Sequence, residues 1–320
     1  MFAKNILSAA LVSCLLLGAI SPSANAAGSF NSIPSENQNV DVAVFSSEFP
    51  DAYFEYGGFT PSPQSIAGNA VGSDSVLGSI EVTVFCEEAY NVETGAVIYS
   101  RLMNEEEVAE WRANGSSTAP VPLAFEYDDS LSVEQKGELT LNLLVLEAVA
   151  GGGFGANLYA RGQATWLSGP AWQSGYSRPS WGEDVIALSW SNGLQDYNSD
   201  ASAQSNSYED VEITLCDFGE DEFLAWAFVE QFGLHVGAIG GAEWAKYIEC
   251  STLLGVPPSC YGENIDIACT YAHSYSNVVI DDLDITIGIS DGKPGGGLDI
   301  SFGEFVDDWS IVVLVRNVRL

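Results

Sequence analysis

Stretch after stretch of this chain places apolar residues at every second position, and that alternation constrains the fold more than any other feature. Leu139, Leu141, Leu143 and Val145 open a long alternating run, and Phe154, Ala156, Leu158 and Ala160 form its return after Gly151-Gly152-Gly153. Ile80, Val82 and Val84 alternate with Glu81 and Thr83, and residues 96–102 come back across the turn Val92-Glu93-Thr94-Gly95. A period of two puts successive side chains on opposite faces of a strand, so each run buries one face against a partner layer. Shorter runs follow at Ile186-Leu188-Trp190, Val211-Ile213-Leu215, Leu283-Ile285-Ile287-Ile289 and Leu298-Ile300-Phe302. Residues 311–315 are apolar at every position, which predicts a central strand covered on both faces. Gly, Pro, Asn and Asp punctuate the runs, and residues 50–78 read as a long irregular loop. The expected fold is mostly β, an antiparallel β-sandwich or jelly roll.

One helix interrupts the pattern. Asn104 can cap it, Glu107 stands at the reciprocal capping position, Glu105 and Glu106 suit the positive end of the helix dipole, and Asn114-Gly115 ends it. Packing accounts for each of these residues without a chemical role. A second helix is expected over 243–253, while residues 232–239 alternate but carry glycines.

The front of the chain has another purpose. Lys4 precedes an apolar stretch from Ile6 to Ile20, Ser21-Pro22-Ser23 breaks it, and Ala24-Asn25-Ala26 supplies small residues at a cleavage site. This is the order of a secretory signal peptide over 1–26, predicting a mature chain that begins at Ala27 and is secreted, periplasmic or on the cell surface. The stretch is shorter than the roughly 18 to 20 residues of a membrane span, and no later segment supplies a transmembrane helix. A lipoprotein reading, with Cys14 acylated, is opposed by the apolar run continuing past it through Leu15-Leu16-Leu17. Residues 27–40 form a flexible leader and 41–320 a single large β-rich domain, with a candidate sub-boundary in a loop at 194–208.

Forty-four acidic residues face ten basic ones, yet charged residues make up only 17% of the chain. An average protein carries about 25%, so basic residues are missing more than acidic ones are added. Such a surface repels phosphate backbones and anionic lipid, which excludes nucleic-acid binding and electrostatic membrane docking. It attracts divalent cations loosely.

Six cysteines are present, of which Cys14 lies in the leader. In an oxidising compartment the others tend to pair, and Cys250, Cys260 and Cys269 are close enough in sequence for a disulfide to join two of them, with connectivity open. No C-x-x-C pair points to zinc. Two histidines, His235 and His273, exclude a three-histidine metal site, and no G-x-S-x-G elbow is present. Cys269 and His273 could form a thiolate–imidazole pair only on a helix.

The most distinctive local feature is aromatic. Trp166, Trp172, Trp181 and Trp190 are four of the eight tryptophans, interleaved with Gly169-Pro170, Ser174-Gly175 and Pro179-Ser180. Trp172, Tyr176 and Trp181, with Arg178 beside them, form a candidate ligand-binding loop, since flat amphipathic rings near a surface suit glycans or a protein partner. Ordinary burial under long loops is the competing explanation. Trp166 and Trp190 adjoin strands and should be enclosed. Asp196, Asn198 and Asp200 have the alternating oxygen pattern that opens calcium loops, although Ala201 and Ser207 break the EF-hand pattern. A solvated polar loop is the simpler explanation of the three.

Taken together, these features favour an exported non-catalytic protein. It would recognise extracellular glycan or protein through the Trp-rich loop, or serve as a structural component of a surface assembly, self-assembly included. The alternative is a secreted carboxylate-dependent hydrolase stabilised by calcium, for which the abundant acids single out no pair. An outer-membrane barrel is opposed by the cysteines, by the all-apolar 311–315 and by the C-terminal Leu320.

Overall fold

The computed structural model describes residues 33–34, 41–46, 48–57, 76–91, 97–117, 121–122, 132–148, 156–168, 183–191, 193–216, 223–229, 231–234, 242–275, 285–289, 298–302 and 307–319. The leader, the glycine turn after residue 148, and Trp172, Tyr176, Arg178, Trp181 and His235 lie outside them. Among the described residues, nineteen strands and one α-helix run in the order β1 (Ile33–Pro34), β2 (Asp41–Phe45), β3 (Phe54–Gly57), β4 (Val76–Asn91), β5 (Val97–Leu102), α1 (Glu105–Ala113), β6 (Val121–Pro122), β7 (Ser132–Ala148), β8 (Ala156–Ser168), β9 (Glu183–Trp190), β10 (Gln195–Ser205), β11 (Asp210–Val211), β12 (Ile213–Cys216), β13 (Phe223–Val229), β14 (Gln231–Leu234), β15 (Ala242–Val256), β16 (Ile265–Tyr275), β17 (Ile285–Ile289), β18 (Leu298–Phe302) and β19 (Asp307–Val318).

Two antiparallel sheets pack face to face. One has the order β1-β2-β19-β16-β9-β13-β12 and the other β11-β10-β15-β8-β7-β4-β3, with β14, β5 and β6 attached to β15, β4 and β7. Strands β17 and β18 pair separately. The fold is therefore the expected sandwich, with open edges in place of a closed barrel. Strand β5 returns on β4 with Glu88 opposite Ser100, and β8 returns on β7 with Leu143 opposite Gly162.

The core follows directly from the alternation. Val82, Val84 and Cys86 from β4, Leu139, Leu141, Leu143 and Val145 from β7, and Ile186 and Leu188 from β9 meet Ile311, Val313 and Val315 from β19 in one buried cluster. The other face of β19 is covered too: Val312 and Leu314 pack with Ala43 and Ala268. No residue from Ile311 to Val315 is more than 2% exposed. Strand β19 is thus the central strand its composition predicts, held between β2 and β16.

Helix α1 forms as the sequence dictates. Asn104 accepts from the Glu107 N–H at 3.1 Å, and the Glu107 carboxylate accepts from the Asn104 N–H at 2.9 Å. Its Val108 and Trp111 pack with Phe85, Met103 and Tyr53 on the outer face of β4.

Three local expectations are overturned. The second helix over 243–253 is strand β15: Ile248, Cys250, Thr252, Leu254 and Val256 are buried in a two-residue period while Tyr247, Glu249, Ser251 and Leu253 face outward. Between two neighbours in the sheet, the ladder outweighs helix propensity. The loop expected at 194–208 is largely β10, a polar strand whose ladder is completed by β15. Within the irregular stretch 50–78, residues 54–57 pair with β4 as β3.

Candidate functional site

At one end of the sandwich the core changes character. Along β4 the inward positions run Val82, Val84, Cys86 and then Glu88; along β16 they run Ile267, Cys269, Tyr271 and then His273. Strand β9 contributes Asp184 before Ile186 and Leu188, and β5, β8 and β19 contribute Ser100, Trp166 and Trp309. Strand alternation carries these polar groups inward with the aliphatic positions next to them.

They are joined in one hydrogen-bonded network. Nε2 of His273 lies 2.7 Å from a Glu88 carboxylate oxygen, and Nδ1 lies 3.2 Å from both oxygens of Asp184. Asp184 also accepts from the Tyr271 hydroxyl and, at 3.0 Å, from the Ser274 N–H. Tyr271 accepts from the Trp166 indole at 3.0 Å; Ser100 accepts from the Trp309 indole at 3.0 Å and donates to Glu88 at 3.1 Å. The His273 ring lies 4.8 Å from Trp309 and 5.8 Å from Trp166, centroid to centroid.

Hydrogen-bond logic fixes what this arrangement can do. With both carboxylates ionised, both imidazole nitrogens must donate, so a cation is clamped between two anions. With the imidazole neutral, one carboxyl must carry the proton and donate it back. Either way two protons are shared among three side chains, one in each contact between the ring and a carboxyl group. Glu88, Asp184 and His273 are each no more than 2% exposed, so the group is closed to a substrate and acts as a polar clasp between the sheets. Cys269 and His273, four residues apart on strand β16, stand roughly 13 Å apart along it, so the helix that a thiolate–imidazole pair would require is not formed.

The clasp also marks where the Trp-rich loop is rooted. Strand β8 ends at Ser168, two residues after Trp166, and β9 begins at Glu183, one residue before Asp184. Trp166 and Trp190 are enclosed, at 0% and 3% exposure. The same end carries an exposed aromatic stack. Tyr247, opposite Thr165 on β8, lies under Tyr208 with centroids 5.8 Å apart and planes 15° from parallel. Tyr208 is 70% exposed and has φ +65°, a left-handed conformation that bulky side chains rarely adopt. Hydrogen bonds to Tyr208 and Lys246 hold the Tyr247 hydroxyl below its ordinary pKa.

Beside the clasp, on the outer face, two of the scarce cations gather. Lys136 lies 3.0 Å from Glu87 and 2.7 Å from Glu134, and Arg101 lies 3.2 Å from Glu87 and 2.8 Å from Glu107. Burial pushes the Glu87 carboxyl up, but hydrogen bonds from Lys136 and Tyr99 and the Arg101 charge bring it below the usual range.

Asp196, Asn198 and Asp200 occupy β10 instead of a loop. A bulge at Tyr197 sets Asp196 opposite Leu254 but Asn198 opposite Leu253, which face opposite sides of the sheet. Asp196 therefore turns inward and accepts from Thr252, while Asn198 and Asp200 point outward. Among the described residues no three His, Cys, Asp or Glu side chains are grouped to hold a metal ion. Cys86, Cys250, Cys260 and Cys269 are all buried, and the disulfide expected among the last three is not formed in this structure.

Sequence reading missed the clasp, although its signal was present: Glu88, Asp184 and His273 occupy inward positions of alternating runs, where a charged residue needs a buried partner.

No protein-family model matches the chain, and no curated protein matches it. Among solved structures, the N-terminal domain of the Streptococcus gordonii adhesin Sgo0707 aligns over 91% of this chain and 84% of its own at 10% identity. The TM-score is 0.18, too low for the likeness to carry an argument. Among the described residues no helix is long and apolar enough to cross a membrane.

Proposed function

We propose that this is an exported, non-catalytic recognition protein that binds extracellular glycan through aromatic rings gathered at one end of the sandwich. The observation that carries the reading is the coincidence of two features there: both roots of the segment holding Trp172, Tyr176, Arg178 and Trp181, and the exposed Tyr208–Tyr247 stack. Binding loops on a rigid scaffold are a common arrangement, and the buried clasp supplies the rigidity. Flat rings suit the apolar faces of sugars, and the net charge of −34 favours neutral glycans over anionic ones.

The test is a glycan array with the exported protein beside Tyr208→Ala, Trp172→Ala and Trp181→Ala. Each substitution is expected to weaken binding by about 1 to 3 kcal/mol and leave the melting temperature nearly unchanged. Should the Trp172 and Trp181 variants melt far below the parent, those rings are core and the platform fails.

A further inference from the structure

Cys250 and Cys269 lie on different sheets yet share one point in the core. Cys250 stands six residues before the end of β15 and Cys269 four residues after the start of β16, and the chain between them turns from one sheet to the other through a 3-10 turn at Pro258–Cys260. Walking back from that corner by similar distances brings the two thiols face to face. Cys260 stays at the corner itself, at the end of the 3-10 turn.

Gly162 makes the meeting possible. It pairs with Cys250 in the sheet, and a Cβ there would overlap the Cys269 sulfur and lie 3.2 Å from the Cys250 sulfur. Sheets packed face to face stand about 10 Å apart, whereas a disulfide needs Cα atoms within about 7 Å. Bridging therefore requires a thin place in the layers, and β8 provides one: its inward residues here are Ala160, Gly162 and Ala164. Both thiols are fully buried.

We propose that Cys250 and Cys269 close into a disulfide joining the two sheets when the chain folds in an oxidising compartment. The oxidant is a disulfide, either a small-molecule one or that of a thiol–disulfide oxidoreductase. The thiolate of one cysteine attacks the oxidant's S–S bond and expels one thiolate. The second cysteine then attacks the mixed disulfide, expelling the other. In sum, two cysteine thiols and one disulfide become one cysteine disulfide and two thiols.

Timing follows from burial. Desolvation pushes the Cys250 thiol well above its ordinary pKa, withholding the thiolate, and no oxidant of any size reaches the closed core. The bond must form before the sheets close. A chain that folds reduced stays reduced.

The proposal rests on the export reading for its compartment, and the experiment separates the two. Full-length chain made in a reducing cytoplasm is purified folded, then treated with oxidised glutathione either in native buffer or through unfolding and refolding. Free thiols are alkylated under denaturing conditions and peptides mapped without reduction. A Cys250–Cys269 peptide is expected after refolding and not after native treatment. The cross-linked form should melt roughly 5 to 10 °C above the reduced form, a difference that Cys250→Ala and Cys269→Ala each abolish. Refolded protein with both cysteines alkylated, or a cross-link to Cys86 or Cys260, overturns the proposal. The same map on protein exported by a secreting host tests compartment alone: thiols there beside a cross-link after refolding uphold the pair and count against export.

Discussion

Asp184 is fully buried, and what makes its position tolerable is the set of groups aimed at it: the Tyr271 hydroxyl, the Ser274 N–H and the His273 ring. A buried carboxylate without such partners costs several kcal/mol, so each donor matters more than it would at the surface. Replacing Asp184 with Asn keeps the shape but presents an NH2 group where an acceptor is required. We expect a loss of about 3 kcal/mol, measured as a fall in the denaturation midpoint at unchanged slope. The clasp is only half legible in the sequence. The inward direction of Glu88 and His273 can be counted along β4 and β16, but their meeting depends on how two sheets stack, and no spacing within one strand encodes that. Asp196, Asn198 and Asp200 illustrate the converse: a two-residue spacing suggested convergence, and a single bulge at Tyr197 turned Asp196 to the other face.

At the scale of elements, β19 is the strand whose environment is clearest in its composition, since an all-apolar run has no face to offer water. Leu314 points away from the sandwich core, yet it is 1% exposed among Val312, Ala43 and Ala268. Leu314→Ala should therefore cost about 3 kcal/mol, as at an interior site and unlike an outward residue on a solvated face; a thermal or denaturant melt reads the difference. Helix α1 was equally legible, because the Asn104–Glu107 capping box is local and complete within four residues. Strands β10 and β15 were not. The first has little apolar content from Gln195 to Ser205, and the second mixes good helix formers into its outward positions. Both are strands because their neighbours supply hydrogen bonds, information held elsewhere in the chain.

For the whole molecule, the excess of acid sets the response to salt. With a net charge of −34, self-repulsion opposes the compact state, and ten basic residues, Lys136 and Arg101 among them, are too few to neutralise forty-four acidic ones. Raising the ionic strength from 0.01 to 0.15 M shortens the screening length from about 30 Å to about 8 Å. The melting temperature should rise by about 5 °C, with the increase levelling off near physiological salt, as differential scanning calorimetry would record. The outer strands of the two sheets bear on how such a protein behaves in a crowd. The sheets end in β1 and β12 on one side and in β11 and β3 on the other, pieces of two to four residues flanking interior strands of up to seventeen. A long bare edge is a template on which a second copy can add its own strand and a third can follow. The longer edge is on β10, where β11 pairs only with Ala203 and Gln204 among the described residues; from Gln195 to Ser202 that strand is polar and carries Asp196 and Asp200, side chains that discourage a second copy from adding its strand there.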